Sequence, residues 1–190
     1  LNRAPEFIIV KNRELSQHWA VYHKSLGPLL IELSWDSPTY AGANFWNDTD
    51  PTDSVFSVGS FNGVNNSGDQ LISYCFAPVD GFSKFGSYIG NGSTDGPFIY
   101  TGFRPAWVMV KLSSSGGTRW NIWDTARDPY NFATRGLFPN LSDAEVTAFD
   151  ADLLSNGFKL RDAETTLNAS GSTYIYVAFA EHPFKRTNSR

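Results

Sequence analysis

The chain repeats itself, and the repeat limits its fold more than any other feature. Pro5-Glu6-Phe7-Ile8-Ile9-Val10-Lys11 matches Pro105-Ala106-Trp107-Val108-Met109-Val110-Lys111 at a shift of 100 residues. Trp19-Ala20-Val21-Tyr22 matches Trp120-Asn121-Ile122-Trp123 at 101, and Val55-Phe56-Ser57-Val58 matches Gly157-Phe158-Lys159-Leu160 at 102. Asn65, Ser67-Gly68, Ile72 and Phe76-Ala77 match Asn168, Ser170-Gly171, Ile175 and Phe179-Ala180 at 103. Matches in one order, with the shift growing one residue at a time, describe a tandem duplication whose second copy has slightly longer loops. The expected organisation is a first unit over residues 1–80 and a second over 81–190.

Each matched stretch is short and rich in aromatic or β-branched residues, with Gly, Asn, Asp or Pro at its borders, as strands are. Strands are expected at Phe7–Lys11, Trp19–His23, Leu29–Leu33, Val55–Val58 and Leu71–Phe76 in the first unit. In the second they are expected at Phe85–Ile89, Phe98–Tyr100, Trp107–Lys111, Trp120–Asp124, Phe158–Arg161 and Tyr174–Ala180. Leu71–Phe76 and Tyr174–Phe179 are apolar on most of both faces and read as central strands. Asn62-Gly63, Asp80-Gly81, Asn91-Gly92, Asp95-Gly96 and Gly116-Gly117 mark turns. One helical turn is expected, opened by the capping box Ser142-Asp143-Ala144-Glu145. The fold class is therefore all-β: tandemly duplicated β-sandwich or jelly-roll-like units with at most one short helix.

The two units differ at their openings. Phe85–Gly90 and Pro97–Tyr100 precede the second copy, and the first copy has no equivalent of either. With no initiator Met, and with Phe7–Val10 so close to the first residue, the chain reads as part of something longer. The missing strands then lie upstream, or the first unit carries an edge that a neighbouring chain covers.

Composition narrows the function classes. A net charge of −4 gives no electrostatic footprint for nucleic acid, and Lys185, Arg186 and Arg190 read as a solvated terminus. No apolar run approaches the ~20 residues of a membrane helix, so no membrane insertion is expected. A single cysteine, Cys75, excludes an intramolecular disulfide framework and reads as a small buried hydrophobe. Five N-x-S/T sequons, at Asn47, Asn65, Asn91, Asn140 and Asn168, follow from an Asn/Ser/Thr-rich composition.

Catalytic chemistry has little to stand on. His18 and His23 fall on opposite faces of a strand, and their counterparts are Arg119 and Asp124, so no shared imidazole site is expected. Gly90-Asn91-Gly92-Ser93 lacks the lysine of a phosphate loop. Asp48 and Asp50 align at shift 102 with Asp150 and Asp152. Such alternating carboxylates suit Ca²⁺, which takes six to eight oxygens, although an Asx-turn leading into a strand is the plainer reading. They would also suit a glycosidase, but a duplicated position argues against a single asymmetric active site. No enzyme activity and no other cofactor is expected. Sugar recognition is better supported: Trp35, Tyr40 and Trp46 stand among polar residues in a loop without a close copy in the second unit. Trp46 and Phe45 have a competing reading as plugs of the sandwich end.

Several stretches resemble a family of uncharacterised domains common in marine and freshwater bacteriophage genomes. They include Ala4–Arg13, Trp19–His23, Ser73–Ala77, Leu154–Arg161 and Thr173–Tyr176 with Phe179-Ala180-Glu181; the most specific run is Gly81–Tyr88 continuing through Gly90–Phe98. The resemblance covers essentially the whole chain. It implies a virion location, in a tail fibre, receptor-binding protein or other appendage, with host-surface glycan and other virion proteins as partners and assembly as a homotrimer. It carries no catalytic residues across. A capsid or tube building block without a ligand, and a glycan depolymerase, are the alternatives.

Overall fold

The computed structural model describes residues 2–181, so His182 and the basic tail of Lys185, Arg186 and Arg190 lie outside the described residues. The described residues form twelve strands in three antiparallel sheets, with three short α-helical turns and one 3-10 turn, Lys24–Leu26. The first sheet holds β1 (Phe7–Asn12), β2 (Ala20–His23), β3 (Gly27–Glu32) and β4 (Leu71–Phe76), in the order β3-β2-β1-β4. Between β3 and β4 lie α1 (Ala43–Trp46) and α2 (Asn62–Asn65). The second sheet is built from β5 (Ser83–Ile89), β7 (Pro105–Leu112), β8 (Asn121–Asp124) and β12 (Thr173–Ala180), in the order β5-β12-β7-β8. The third holds β6 (Phe98–Tyr100), β9 (Ala133–Gly136), β10 (Val146–Leu154) and β11 (Gly157–Leu160), ordered β6-β11-β10-β9, and α3 (Thr165–Asn168) precedes β12.

The strand registers carry the duplication into three dimensions. Phe7 pairs with His23 and with Phe76, and Trp107 pairs with Asp124 and with Phe179. Every further pair of β4-β1-β2 reappears in β12-β7-β8 under the shifts of 100, 101 and 103 found in the sequence. The helical turns α2 and α3 match as well. Val64 and Asn65 donate their N–H groups to Phe61 O, as Leu167 and Asn168 do to Glu164 O, and Gly68 and Gly171 follow with φ of +86° and +74°.

Alternation of side chains stacks these sheets in three layers. Phe7, Val21 and Ile31 of the first sheet meet Phe85, Met109, Ile175 and Val177 of the second. The other face of the second sheet, with Val108, Val110, Leu112, Trp123, Tyr174 and Tyr176, packs on Phe158, Leu160, Ala151 and Leu153 of the third. The second sheet is thus buried on both faces, which explains the unbroken apolar run of β12. Among the described residues, no sheet lies over the outer face of the first sheet. There Ile8, Val10, Tyr22 and Leu30 are covered by Trp46, Val64, Phe56 and Phe61 from α1, α2 and the strip between them.

Four expectations are corrected. There are three short α-helices, besides a 3-10 turn, instead of at most one. Residues 142–145 open no helix; Val146–Leu154 is instead β10, held between β9 and β11. Its sheet partners on both sides outweigh a local cap, with Ala151 paired to Leu160 and to Ala133. Val55–Val58 forms no strand. Its counterpart β11 lies between β6 and β10, whereas the first unit has an irregular strip and α1 at the corresponding places. Finally, Leu71–Phe76 is an edge strand with Ile72 and Tyr74 38% and 43% exposed, because no counterpart of β5 pairs with it among the described residues.

Candidate functional site

The aromatic residues singled out in the sequence part company. Trp46 is buried at 1% exposure, with its ring edge-on to Tyr22 at 5.9 Å between centroids. It is a plug over the first sheet and presents no face to a ligand, which corrects its assignment as a binding residue. Trp35 and Tyr40 are half-exposed. Trp35 sits edge-on to His18 at 4.1 Å, and Tyr40 is tied to Leu30 by backbone bonds in both directions.

The carboxylates do not gather. Asp50 accepts the Tyr22 hydroxyl at 2.8 Å, and Asp152 accepts Arg161 Nε at 2.6 Å. Asp48 holds a left-handed backbone, φ +48°, in a loop, while Asp150 and Asp152 lie on β10. Burial pushes the Asp150 carboxyl up, with Asp162 and Asp152 adding to the effect. Among the described residues no three His, Cys, Asp or Glu side chains are placed to hold a metal ion, so the four aspartates form no calcium cage. The Cys75 thiol is half-buried and burial pushes its pKa up, away from thiolate chemistry.

A larger concavity opens where the two units join. Its volume is about 560 Å³, within the size range of small-ligand pockets. The link from β4 to β5 forms one wall through Pro78, Val79 and Asp80. There Phe82 and Ser83 donate to Val79 O, and the turn needs Gly81 at φ +77°. The end of β6 forms the other wall with Tyr100 to Phe103, where the N–H groups of Thr101 and Gly102 both bond to Asn156 O. Ser83, Lys84 and Phe85 of β5 line the site, and Glu6 enters from the first unit.

The polar hydroxyls of this site are spent internally. Ser83 Oγ donates to Ala77 O and accepts from Val79 N–H, and Thr101 Oγ1 donates to Phe103 O. What faces a ligand is the Tyr100 ring, 59% exposed, the Lys84 ammonium 5.1 Å from its centroid, and the Glu6 side chain. An aromatic face flanked by a cation and a carboxylate suits stacking and hydrogen bonding to a polyhydroxylated ligand. The sequence did hold a signal for this. Phe98 and Tyr100 alternate outward from Ile99, which is buried, so two aromatics on one face of a short strand were legible as surface.

Fold and site together define an all-β, three-layered protein with a polar cavity at the junction of two unequal repeats. The chain belongs to the family described as a domain of unknown function, DUF7483, whose model matches residues 1–183. No curated protein and no solved structure matches the chain.

Proposed function

We propose that this domain is a non-catalytic attachment module of a bacteriophage virion, in a tail fibre or similar appendage, and that it contacts host-surface glycan through the junction cavity. The single observation behind the glycan reading is the exposed Tyr100 ring beside Lys84 and Glu6 at a cavity of about 560 Å³. The phage context is supported by the sequence resemblance alone. The test is binding of the purified chain to a glycan array and to host cells. Tyr100→Ala should weaken binding about tenfold or more, the equivalent of ~1.4 kcal/mol. Trp35→Ala, outside the cavity, should leave it unchanged. Loss of binding with Trp35→Ala but not Tyr100→Ala would move the site to the Trp35 loop, and the absence of any glycan ligand would sink the reading.

A further inference from the structure

The edge of β4 and the cavity beside it have an occupied counterpart in the second unit. A cavity of about 210 Å³ is lined by Val10, Phe56, Val58, Val64, Leu71, Ile72 and Ser73. An apolar void of ~150 Å³ already accommodates a benzene ring. Under the repeat shifts these residues correspond to Val110, Phe158, Leu160, Leu167, Tyr174, Ile175 and Tyr176. All but Ile175 belong to the core cluster that also holds one side chain of β5, Tyr88. Tyr88 stacks on Tyr174 at 5.0 Å and 9°, stands edge-on to Phe158, and donates its hydroxyl to Leu167 O at 2.7 Å. Among the described residues, the first unit keeps the lining and has no strand paired to this edge of β4.

The backbone agrees. Arg13 N–H bonds to Gln70 O, so in the antiparallel ladder Gln70, Ile72 and Tyr74 turn their backbone groups to β1. Leu71, Ser73 and Cys75 therefore turn theirs to the open edge. Their counterparts Tyr174, Tyr176 and Ala178 are paired with Tyr88, Gly86 and Lys84. Asn168, fully buried, bonds through its side chain to Asn91 and Ser93 of the loop that follows β5, whereas its counterpart Asn65 is exposed.

We propose that β4 accepts a strand of β5 chemistry in antiparallel register, with an aromatic side chain opposite Leu71 seated in the cavity. The occupant is an extended segment with the alternation of β5, carrying an aromatic residue in the place that Tyr88 holds opposite Tyr174. Edge addition of this kind supplies main-chain bonds for affinity and a side-chain pocket for register. A second folded copy does not fit, since its own Tyr88 is already buried. The inference rests on the repeat register and is independent of the glycan reading.

The probe is a synthetic peptide of the sequence Phe82–Gly90, added to the chain of residues 1–190. Hydrogen exchange at Leu71, Ser73 and Cys75 should slow on binding, and the peptide with Tyr88→Ala should bind about tenfold more weakly or worse. Ser73→Pro in the chain removes an outward N–H from an edge strand, a position that tolerates proline. It should abolish binding while the melting temperature holds. Joining the peptide sequence ahead of Leu1 through a Gly/Ser linker should raise the melting temperature and eliminate binding of free peptide. Any of three results would overturn the proposal: no protection at β4, equal binding of the Tyr88→Ala peptide, or a dimer of the unmodified chain that Ser73→Pro dissolves.

Discussion

The two units share a three-strand kernel and differ in what lies over it. In the second unit β12-β7-β8 is covered by a sheet, and Phe158 and Leu160 reach the kernel from β11. In the first, β4-β1-β2 is covered by an irregular strip, yet the equivalent Phe56 and Val58 reach the equivalent face. The kernel's register is fixed by which side chains meet which cover, since a slip of one residue would exchange the two faces of a strand. The cover need only deliver apolar side chains to given places, and a loop can do that as well as a strand. What the loop gives up is completeness: one unit closes around Tyr88 and the other leaves a cavity.

The sharpest way to break this comparison is to truncate the matched phenylalanines. Phe158 is fully buried, with the rings of Tyr88 and Tyr176 edge-on at 6.3 and 5.5 Å. Phe158→Ala should cost about 3–5 kcal/mol, as large truncations in closed cores do. Phe56 is half-buried beside a cavity, and Phe56→Ala should cost only about 1–2 kcal/mol. Equal losses in urea denaturation would mean that the strip packs as tightly as a sheet.

His23 and Asp124 occupy the same place in the two kernels but face different surroundings. His23 is fully buried between the units. Its Nε2–H donates to Tyr176 O at 3.0 Å and its Nδ1 accepts from Ser25 N–H, so the neutral ring is the form that fits. Burial lowers its pKa to about 4 from an ordinary 6.5, against a smaller opposing effect of the Tyr176 carbonyl. Between those values the unfolded chain binds a proton that the folded chain does not. Stability is therefore complete above pH 6.5 and falls as pH drops towards 4, by about 3 kcal/mol in all. Denaturation midpoints at pH 7 and 4.5 should show that fall in the wild type and lose most of it in His23→Gln. Asp124, tied to Arg127 nearer the surface, gives the second unit no such buried imidazole.

The kernel was legible because a duplicated sequence carries its own check: the shifts found by comparing the halves are the shifts that relate the strand pairs. The edge position of β4 was hidden by its composition. Leu71-Ile72-Ser73-Tyr74-Cys75-Phe76 has the apolar content of a central strand, which its counterpart β12 is. What separates them is a neighbour remote in sequence. For the same reason β9 and β10 went unread, and α2 and α3, at four residues each, were too short to show helical periodicity. In the stretch that follows β3, Trp46 and Trp35 have similar polar neighbours in sequence, and only the sheet beneath decides which is buried. Tyr100 and Glu6 come together through the link between units, which no local pattern encodes.

The smallest effect, and the finest test of how alike the kernels are, concerns the lysine that ends the matched stretch in each. Lys11 Nζ donates to Leu15 O and Gln17 O at 3.0 and 2.8 Å, closing the loop from β1 to β2. Lys111 does the same from β7 to β8, bonding Thr118 O at 2.9 Å and Thr118 Oγ1 at 3.1 Å. It also reaches Asp36 O at 3.4 Å, across the junction. Lys11 is half-buried and Lys111 fully buried. Burial lowers the Lys111 pKa to about 8, partly offset by the Asp36 charge. Lys11→Met should cost less than about 1 kcal/mol because water can reach the released carbonyls; Lys111→Met should cost about 1–2 kcal/mol because it cannot. The pH dependence distinguishes them further. From pH 8 to about 10.5 the unfolded chain holds a proton that Lys111 has shed, so wild-type stability gains a rising contribution across that window. Urea titrations at pH 7.5 and 9.5 should show that contribution in the wild type and in Lys11→Met but not in Lys111→Met. Its persistence in Lys111→Met would show that the deeper lysine is not the source, and that burial at the junction does less to separate the two kernels than their geometry implies.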